Sequence, residues 1–188
     1  MKVKGTTLET RFEYVRQMGD EPWTRFVAAL SPESAALADE PGLRAGWYPF
    51  ERFIEISRVI DELFGRGDLE QCRELGRASF SRYSSTIYRV IFRALTIEFL
   101  IRRAQVAWRL HYDQGDMSSS KVTRTPEGRR SLQATLQGAD AFDPSHCQAV
   151  RGWIVAAAEI TGSRNVHDRC LQCRGRGDPV CRWQFDWD

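Results

Sequence analysis

Apolar positions in the first half of the chain recur at helical spacing. LETRFEYVRQM (residues 8–18) predicts a helix between Thr7 and Gly19, and Asp20 with Pro22 opens a second that runs to Leu30. Ser31-Pro32-Glu33 repeats that start signal. PFERFIEISRVIDELF (49–64) is the clearest helix: Phe50, Phe53, Ile54, Ile60 and Phe64 fall on one stripe, and Gly65 and Gly67 follow. The spacing predicts a longer helix from Leu69 to about Ala94 and another over 95–105. Residues 87–100 are apolar on more than one face, as in a helix buried on both sides or docked on a second chain.

After residue 106 the period changes. AWRLHYDQG (107–115) alternates Trp108, Leu110 and Tyr112 and reads as a strand, as do MSSSKVTRT (117–125) and RRSLQATLQGA (129–139). Asp143-Pro144 caps a helix through about Thr161, with Val150, Trp153, Ile154, Ala157 and Ile160 as its expected stripe. Residues 165–173 and 180–187 form a β-hairpin. The expected fold is therefore α+β and a single domain over 1–188: a mostly helical part, 1–105, then a mainly antiparallel sheet with one late helix, 106–188.

Composition narrows the function classes. The 188 residues are ample for a core, and a net charge of +2 gives no reason to expect nucleic acid as a partner. No stretch reaches a membrane span, because Arg89, Arg93 and Glu98 interrupt the most apolar one, and the N-terminus lacks a signal peptide. A cytoplasmic protein is expected, in which cysteines stay reduced.

Three of the five cysteines lie in CLQCRGRGDPVCRW (170–183). Cys170-x2-Cys173 has the spacing of a metal knuckle, and Cys181 returns on the facing strand. Cys147, in the first turn of the late helix, completes a set of four if that helix packs on the hairpin. Four thiolates suit structural zinc, leave no open coordination position, and place Arg151, Arg169, Arg174, Arg176 and Arg182 near a net negative centre. Free thiols and redox chemistry remain alternatives. Of the three histidines, His146 and Cys147 are neighbours on a helix and point apart, which argues against a nucleophile pair. His111 reads as a surface or internally satisfied histidine, His167 as a substitute metal ligand, and Cys72 as core. No phosphate loop, dinucleotide fingerprint or nucleophile elbow is present.

The segment Cys173-x3-Gly177-Asp178-Pro179-Val180-Cys181-x-Trp183 resembles the C-terminal signature of 4-vinyl-reductase-type domains, in the superfamily of the haem NO-binding-like fold and the transport-protein-particle subunits. GWYPFERFIEI and DLEQCRELGR resemble a paralogous family of myxobacterial proteins of unknown role. The first resemblance implies a domain, often dimeric, with an apolar pocket between helices and sheet, and a structural zinc held by Cys147, Cys170, Cys173 and Cys181. It implies no haem: Tyr83-Ser84-Ser85-Thr86-Ile87 lacks the arginine of the haem branch's Tyr-x-Ser-x-Arg motif, and no histidine is suitably placed. The expected function is a non-enzymatic sensory or regulatory domain that binds a small hydrophobic ligand near Phe92, Trp108, Tyr112 and Trp153 and acts through a protein partner. A dimeric interaction scaffold with a filled core is the first alternative. An enzyme of vinyl-group or tetrapyrrole reduction is the second, and no cofactor site supports it.

Overall fold

The computed structural model describes residues 1–83 and 95–188. Strand β1 (Lys2–Lys4) leads into α1 (Gly5–Arg16), α2 (Asp20–Ala29) and the short α3 (Pro32–Ala36). Strand β2 (Trp47–Pro49) pairs antiparallel with β1, Val3 opposite Tyr48. Helices α4 (Phe50–Phe64) and α5 (Glu70–Tyr83) follow, then α6 (Ile97–Arg102) and α7 (Ala104–Arg109). The last part holds β3 (Asp116–Ser119), β4 (Thr123–Arg124), β5 (Arg130–Gln137), α8 (Pro144–Ile160), β6 (His167–Gln172) and β7 (Cys181–Trp187).

The main sheet is antiparallel with order β3-β5-β7-β6, and β4 extends the β3 side of β5. Along β7, Cys181, Trp183, Phe185 and Trp187 are all buried, the period-two alternation of a strand with one face on the core. One continuous core joins these side chains to Phe12, Phe26, Phe53, Ile56 and Ile60 of the helical part. The architecture is the α+β arrangement expected from the sequence: helices first, then an antiparallel sheet with one late helix.

Helix α8 is the spine between the layers. It lies against α5 on one side and against the hairpin and sheet on the other. Ala149, Val150, Gly152 and Val155 through Ala158 are buried, while Trp153, Ile154 and Ile160 are only partly so. The expected single stripe is thus corrected: a helix packed from two sides buries most of its small residues. At the α5–α8 crossing the backbones nearly touch. A Cβ on Gly152 would sit 1.9 Å from the Arg73 carbonyl oxygen, and one on Gly76 would sit 2.0 Å from that of Ala149. Both glycines are needed for this approach.

Residues 107–115 are not a strand. They are the end of α7 and a turn, and only Tyr112 makes a β-bridge, to Val3. Trp108 and Tyr112 are four apart and share a helical face, whereas Leu110 between them is 65% exposed. The apparent alternation was an i,i+4 pair with an exposed residue between. Strands β1 and β2 were not anticipated, since three-residue strands carry too little periodicity to register. Part of the expected 69–94 helix, and 87–94 of the segment expected to dimerise, lie outside the described residues. So do Phe92 and positions 84–87 of the motif compared with the haem branch. Among the described residues, no helix is long and apolar enough to cross a membrane.

Candidate functional site

Two constellations meet at the start of α8, on opposite sides of its first turn. Asp143 caps the helix: its Oδ1 accepts from the Ser145 N–H at 2.9 Å and from the Ser145 hydroxyl. Arg58 of α4 donates to the same carboxylate at 2.9 Å, which ties the helical layer to this turn. Burial opposes the charge on Asp143, but Ser145 and Arg58 prevail and hold its carboxyl below the usual range. The next residues, His146 and Cys147, then point to different sides.

Cys147 faces the hairpin. Its Sγ lies 2.9 Å from that of Cys173 and 3.4 Å from that of Cys181. All three are buried, and their ligand atoms lie within 4.8 Å of one another. The hairpin tip is shaped for this. Asp178 Oδ2 accepts from the Cys173 N–H at 2.8 Å, and the Arg174 N–H points at Cys181 Sγ at 3.4 Å. A Cβ on Gly175 would lie 2.6 Å from Pro144 Cδ, so only glycine lets the tip abut the helix start.

Hydrogen bonds from the neighbouring thiols, Cys147 first, favour the Cys181 thiolate and bring its pKa down to about 4. Cys173 is lowered by Cys147 and then Cys170. Cys147 is pushed up because it shares protons with both neighbours.

Cys170, the fourth expected ligand, lies outside the tight trio but within reach of Cys173. It is half-buried on β6, its Sγ 3.5 Å from the Gln172 carbonyl oxygen, where a bulge interrupts the ladder. Around a metal with sulfur bonds of about 2.3 Å, tetrahedral sulfurs stand about 3.8 Å apart. The trio needs to open by less than about 1 Å to reach that size.

Of the five arginines expected near this centre, Arg174 lies over the Phe142 ring and donates to the Ala139 carbonyl. Arg151 instead grips Asp168 at 2.6 Å, and Arg73 takes the other oxygen of that carboxylate at 2.6 Å. The Asp168 side chain is only 4% exposed, and this triad welds α5, α8 and β6 together.

His146 faces the other way. It is buried, and among the described residues neither ring nitrogen has a hydrogen-bond partner. Four rings surround it: Phe50 at 5.0 Å, Tyr112 at 5.0 Å, Phe53 at 5.6 Å and Trp108 at 5.7 Å between centroids. Trp108 and Tyr112 stack at 4.1 Å. Desolvation, then the nearby Arg11 charge, brings the imidazole pKa down to about 3, so the ring is neutral near pH 7.

Of the expected ligand-lining residues, Trp108 and Tyr112 thus share one box. Trp153 does not: it packs 4.9 Å from Phe80 in a separate cluster on the α5 side. His146 was not singled out from the sequence as the centre of a ring cluster. Ser145 and Gln148 share its turn, so no polar-residue signal sets His146 apart in the sequence.

No family model matches the chain, and no curated protein matches it. Solved structures do match, over its full length. An H-NOX protein from S. oneidensis in the Fe(II) ligation state has a TM-score of 0.71 at 13% identity, covering 98% of this chain and 96% of that one. An unliganded Fe(II) H-NOX protein from K. algicida has a TM-score of 0.69 at 13% identity, with 98% and 96% coverage. An oxygen-binding H-NOX domain related to soluble guanylate cyclases has a TM-score of 0.67 at 12% identity, with 98% and 95% coverage. The chain has the H-NOX fold.

This corrects one expectation from the sequence. Zinc alone, with haem set aside, was to describe the chain's cofactors, yet the fold is that of Fe(II) proteins. Lacking the arginine of one motif does not separate the chain from that branch. At 12–13% identity the likeness carries the fold and not the haem. A porphyrin needs a wide flat slot with one imidazole nitrogen open to it. His146 offers nitrogens, but the described rings around it are in mutual contact and, as placed, do not fit a porphyrin.

Proposed function

We propose that this chain is a ligand-responsive regulatory domain whose binding box is the ring cluster around His146. The observation that carries this reading is the imidazole itself. Leaving a buried polar group without a partner costs about 1–3 kcal/mol, and His146 presents both a donor and an acceptor. A ligand that hydrogen-bonds to it removes that cost. The box selects for a small, uncharged, largely apolar molecule with one hydrogen-bonding group, since the imidazole is neutral and the walls are Phe50, Phe53, Trp108 and Tyr112. The resemblance of residues 173–183 to 4-vinyl-reductase-type domains is in keeping with a sensory role acting through a protein partner.

Beside the box, Cys147, Cys173 and Cys181 hold a thiolate-preferring metal ion, with Cys170 as fourth ligand after a small movement of β6. The ion joins the start of α8 to the hairpin and so fixes the turn that carries His146.

Native mass spectrometry of the purified chain tests the ligand reading. The expected result is an adduct that leaves on acid denaturation and is absent from His146→Leu. A bare mass for the wild-type chain, together with a more stable His146→Leu, refutes it. That outcome selects the second reading, an interaction scaffold with a solid interior, which the mutual contact of the rings favours.

A further inference from the structure

Helix α1 and the segment that follows α3 enclose a cleft that shares no residue with the ring box or the cysteine centre. Its volume is about 320 Å³, at the small end for ligand sites. The floor is apolar, made by Phe12 of α1 and by Leu43, both buried. The rim carries both signs of charge: Glu9 and Arg16 on α1, Glu40 and Arg44 on the facing wall. Two cations and two anions cancel, so the rim suits neither a bare anion nor a bare cation.

The facing wall is tied to α1 at both ends, which holds the cleft open. At one end Arg16 Nη2 donates to the Ala38 carbonyl oxygen at 2.8 Å, with the guanidinium 4.2 Å from the centre of the Trp23 ring. At the other the Gly5 N–H donates to the Gly46 carbonyl oxygen at 3.0 Å. A Cβ on Gly5 would lie 1.6 Å from the Leu43 carbonyl oxygen, so only glycine permits this tie. Between the two ends the chain turns through Gly42 in the left-handed region, φ 77°.

The rim groups keep bonding capacity. Arg16 uses Nη2 alone for Ala38 and Asp39, which leaves the rest of its fork to a ligand. Tyr48 donates to Glu40 Oε1 at 2.8 Å and fixes that carboxylate by one oxygen. Burial, then Glu40, pushes the Tyr48 phenol up to about 12, so the bond persists through neutral pH. Arg44 meets Glu9 only through Nε at 3.3 Å and is 66% exposed. An exposed pair of that kind is weak, so Arg44 turns to a better partner easily.

We propose that this cleft binds a free α-amino acid with an aliphatic side chain. Its carboxylate pairs with Arg16 and Arg44, its ammonium group with Glu40, and its side chain covers Phe12 and Leu43. A molecule that carries both charges on one small centre satisfies a rim of mixed sign, whereas a lone anion faces Glu9 and Glu40 and a lone amine faces the two arginines. A peptide end is a poorer occupant, because each end carries one of the two charges. The site is independent of the ring box, and the ligand reading made there does not bear on it.

The test is a titration of the full chain with L-leucine, with L-leucinamide, which lacks the carboxylate, and with N-acetyl-L-leucine, which lacks the ammonium group. L-Leucine is expected to bind with a Kd of about 1 mM or tighter, and each analogue at least tenfold more weakly. Glu40→Gln is expected to remove the preference over N-acetyl-L-leucine, and Arg16→Gln the preference over L-leucinamide. Arg44 is exposed, so Arg44→Gln keeps the test alive if Arg16→Gln fails to fold; it is expected to weaken L-leucine with the melting temperature unchanged. His146→Leu is expected to bind L-leucine like the wild type, and a loss there overturns the assignment to this cleft. The proposal is also overturned if L-leucine does not bind up to about 10 mM, if the three compounds bind alike, or if the folded variants match the wild type. Tighter binding of inorganic phosphate or of butylamine overturns it in favour of a lone anion or a lone amine.

Discussion

The crossing of α5 and α8 makes the most exacting prediction. In Gly152→Ala the new methyl group would meet the Arg73 carbonyl oxygen at 1.9 Å, the Arg73 carbonyl carbon at 2.8 Å and the Arg77 amide nitrogen at 3.1 Å. The obstacles are backbone atoms inside a helix, so no rotamer change relieves them. The helices must part by about 1 Å to reach even the shortest tolerable contact, and they must do so at the most extensively packed pair among the described elements.

Overpacking of this kind costs about 1–3 kcal/mol, and the loosened contacts around the crossing bring the expected loss to about 3 kcal/mol or more. For a domain of this size each kcal/mol moves the midpoint by about 2–4 °C, so thermal unfolding followed by circular dichroism is expected to drop by about 6–12 °C. Gly76→Ala, 2.0 Å from the Ala149 carbonyl oxygen, is expected to do the same. Both substitutions force the same separation, so the double variant should lose clearly less than the sum of the two. Single losses under about 1 kcal/mol, or strict additivity, refute the picture of a backbone-to-backbone contact.

Other outcomes follow from the site. Asp168→Asn leaves Arg73 and Arg151 facing a neutral group in a buried place, and urea titration is expected to show a loss of about 3–5 kcal/mol. The Asp143 carboxyl is lowered in the folded chain, so its contribution is fully present above the unfolded value of about 3.9 and fades as pH falls below it. Acid unfolding of Asp143→Asn should therefore converge with that of the wild type at low pH and differ near neutrality. Elemental analysis is expected to find about one metal ion per chain. A chelator should lower the melting temperature of the wild type and leave Cys181→Ser, already destabilised, unmoved; an unmoved wild type refutes the metal centre.

The long periodic helices and the alternating strand β7 could be read in the sequence because each repeats its signal over many residues. The stripe of α4 is an example: Phe50, Phe53 and Ile60 are buried as expected. What escaped depends on contacts between distant segments. Trp108, Leu110 and Tyr112 fit both a strand and a helical turn, and only the packing of Tyr112 against β1 decides between them. The meeting of Cys147 with Cys173 and Cys181 was legible because Asp143-Pro144 fixes the helix start and two knuckle cysteines fix the hairpin. The offset of Cys170 was not, since a bulge in β6 changes which way its side chain turns. The orphaned ring nitrogens of His146 belong to no motif and emerge only once four rings from two segments close around them.

Among the described strands β6 pairs only with β7 and forms a rim of the sheet. Such rims recruit stray strands from other molecules. Here the dislocation between Cys170 and Gln172 breaks the rim's regular spacing, and Arg169 stands exposed beside it. The cysteine that sits awkwardly for a metal thus lies at the point that keeps the sheet from growing, and pulling it into register has a cost in solubility.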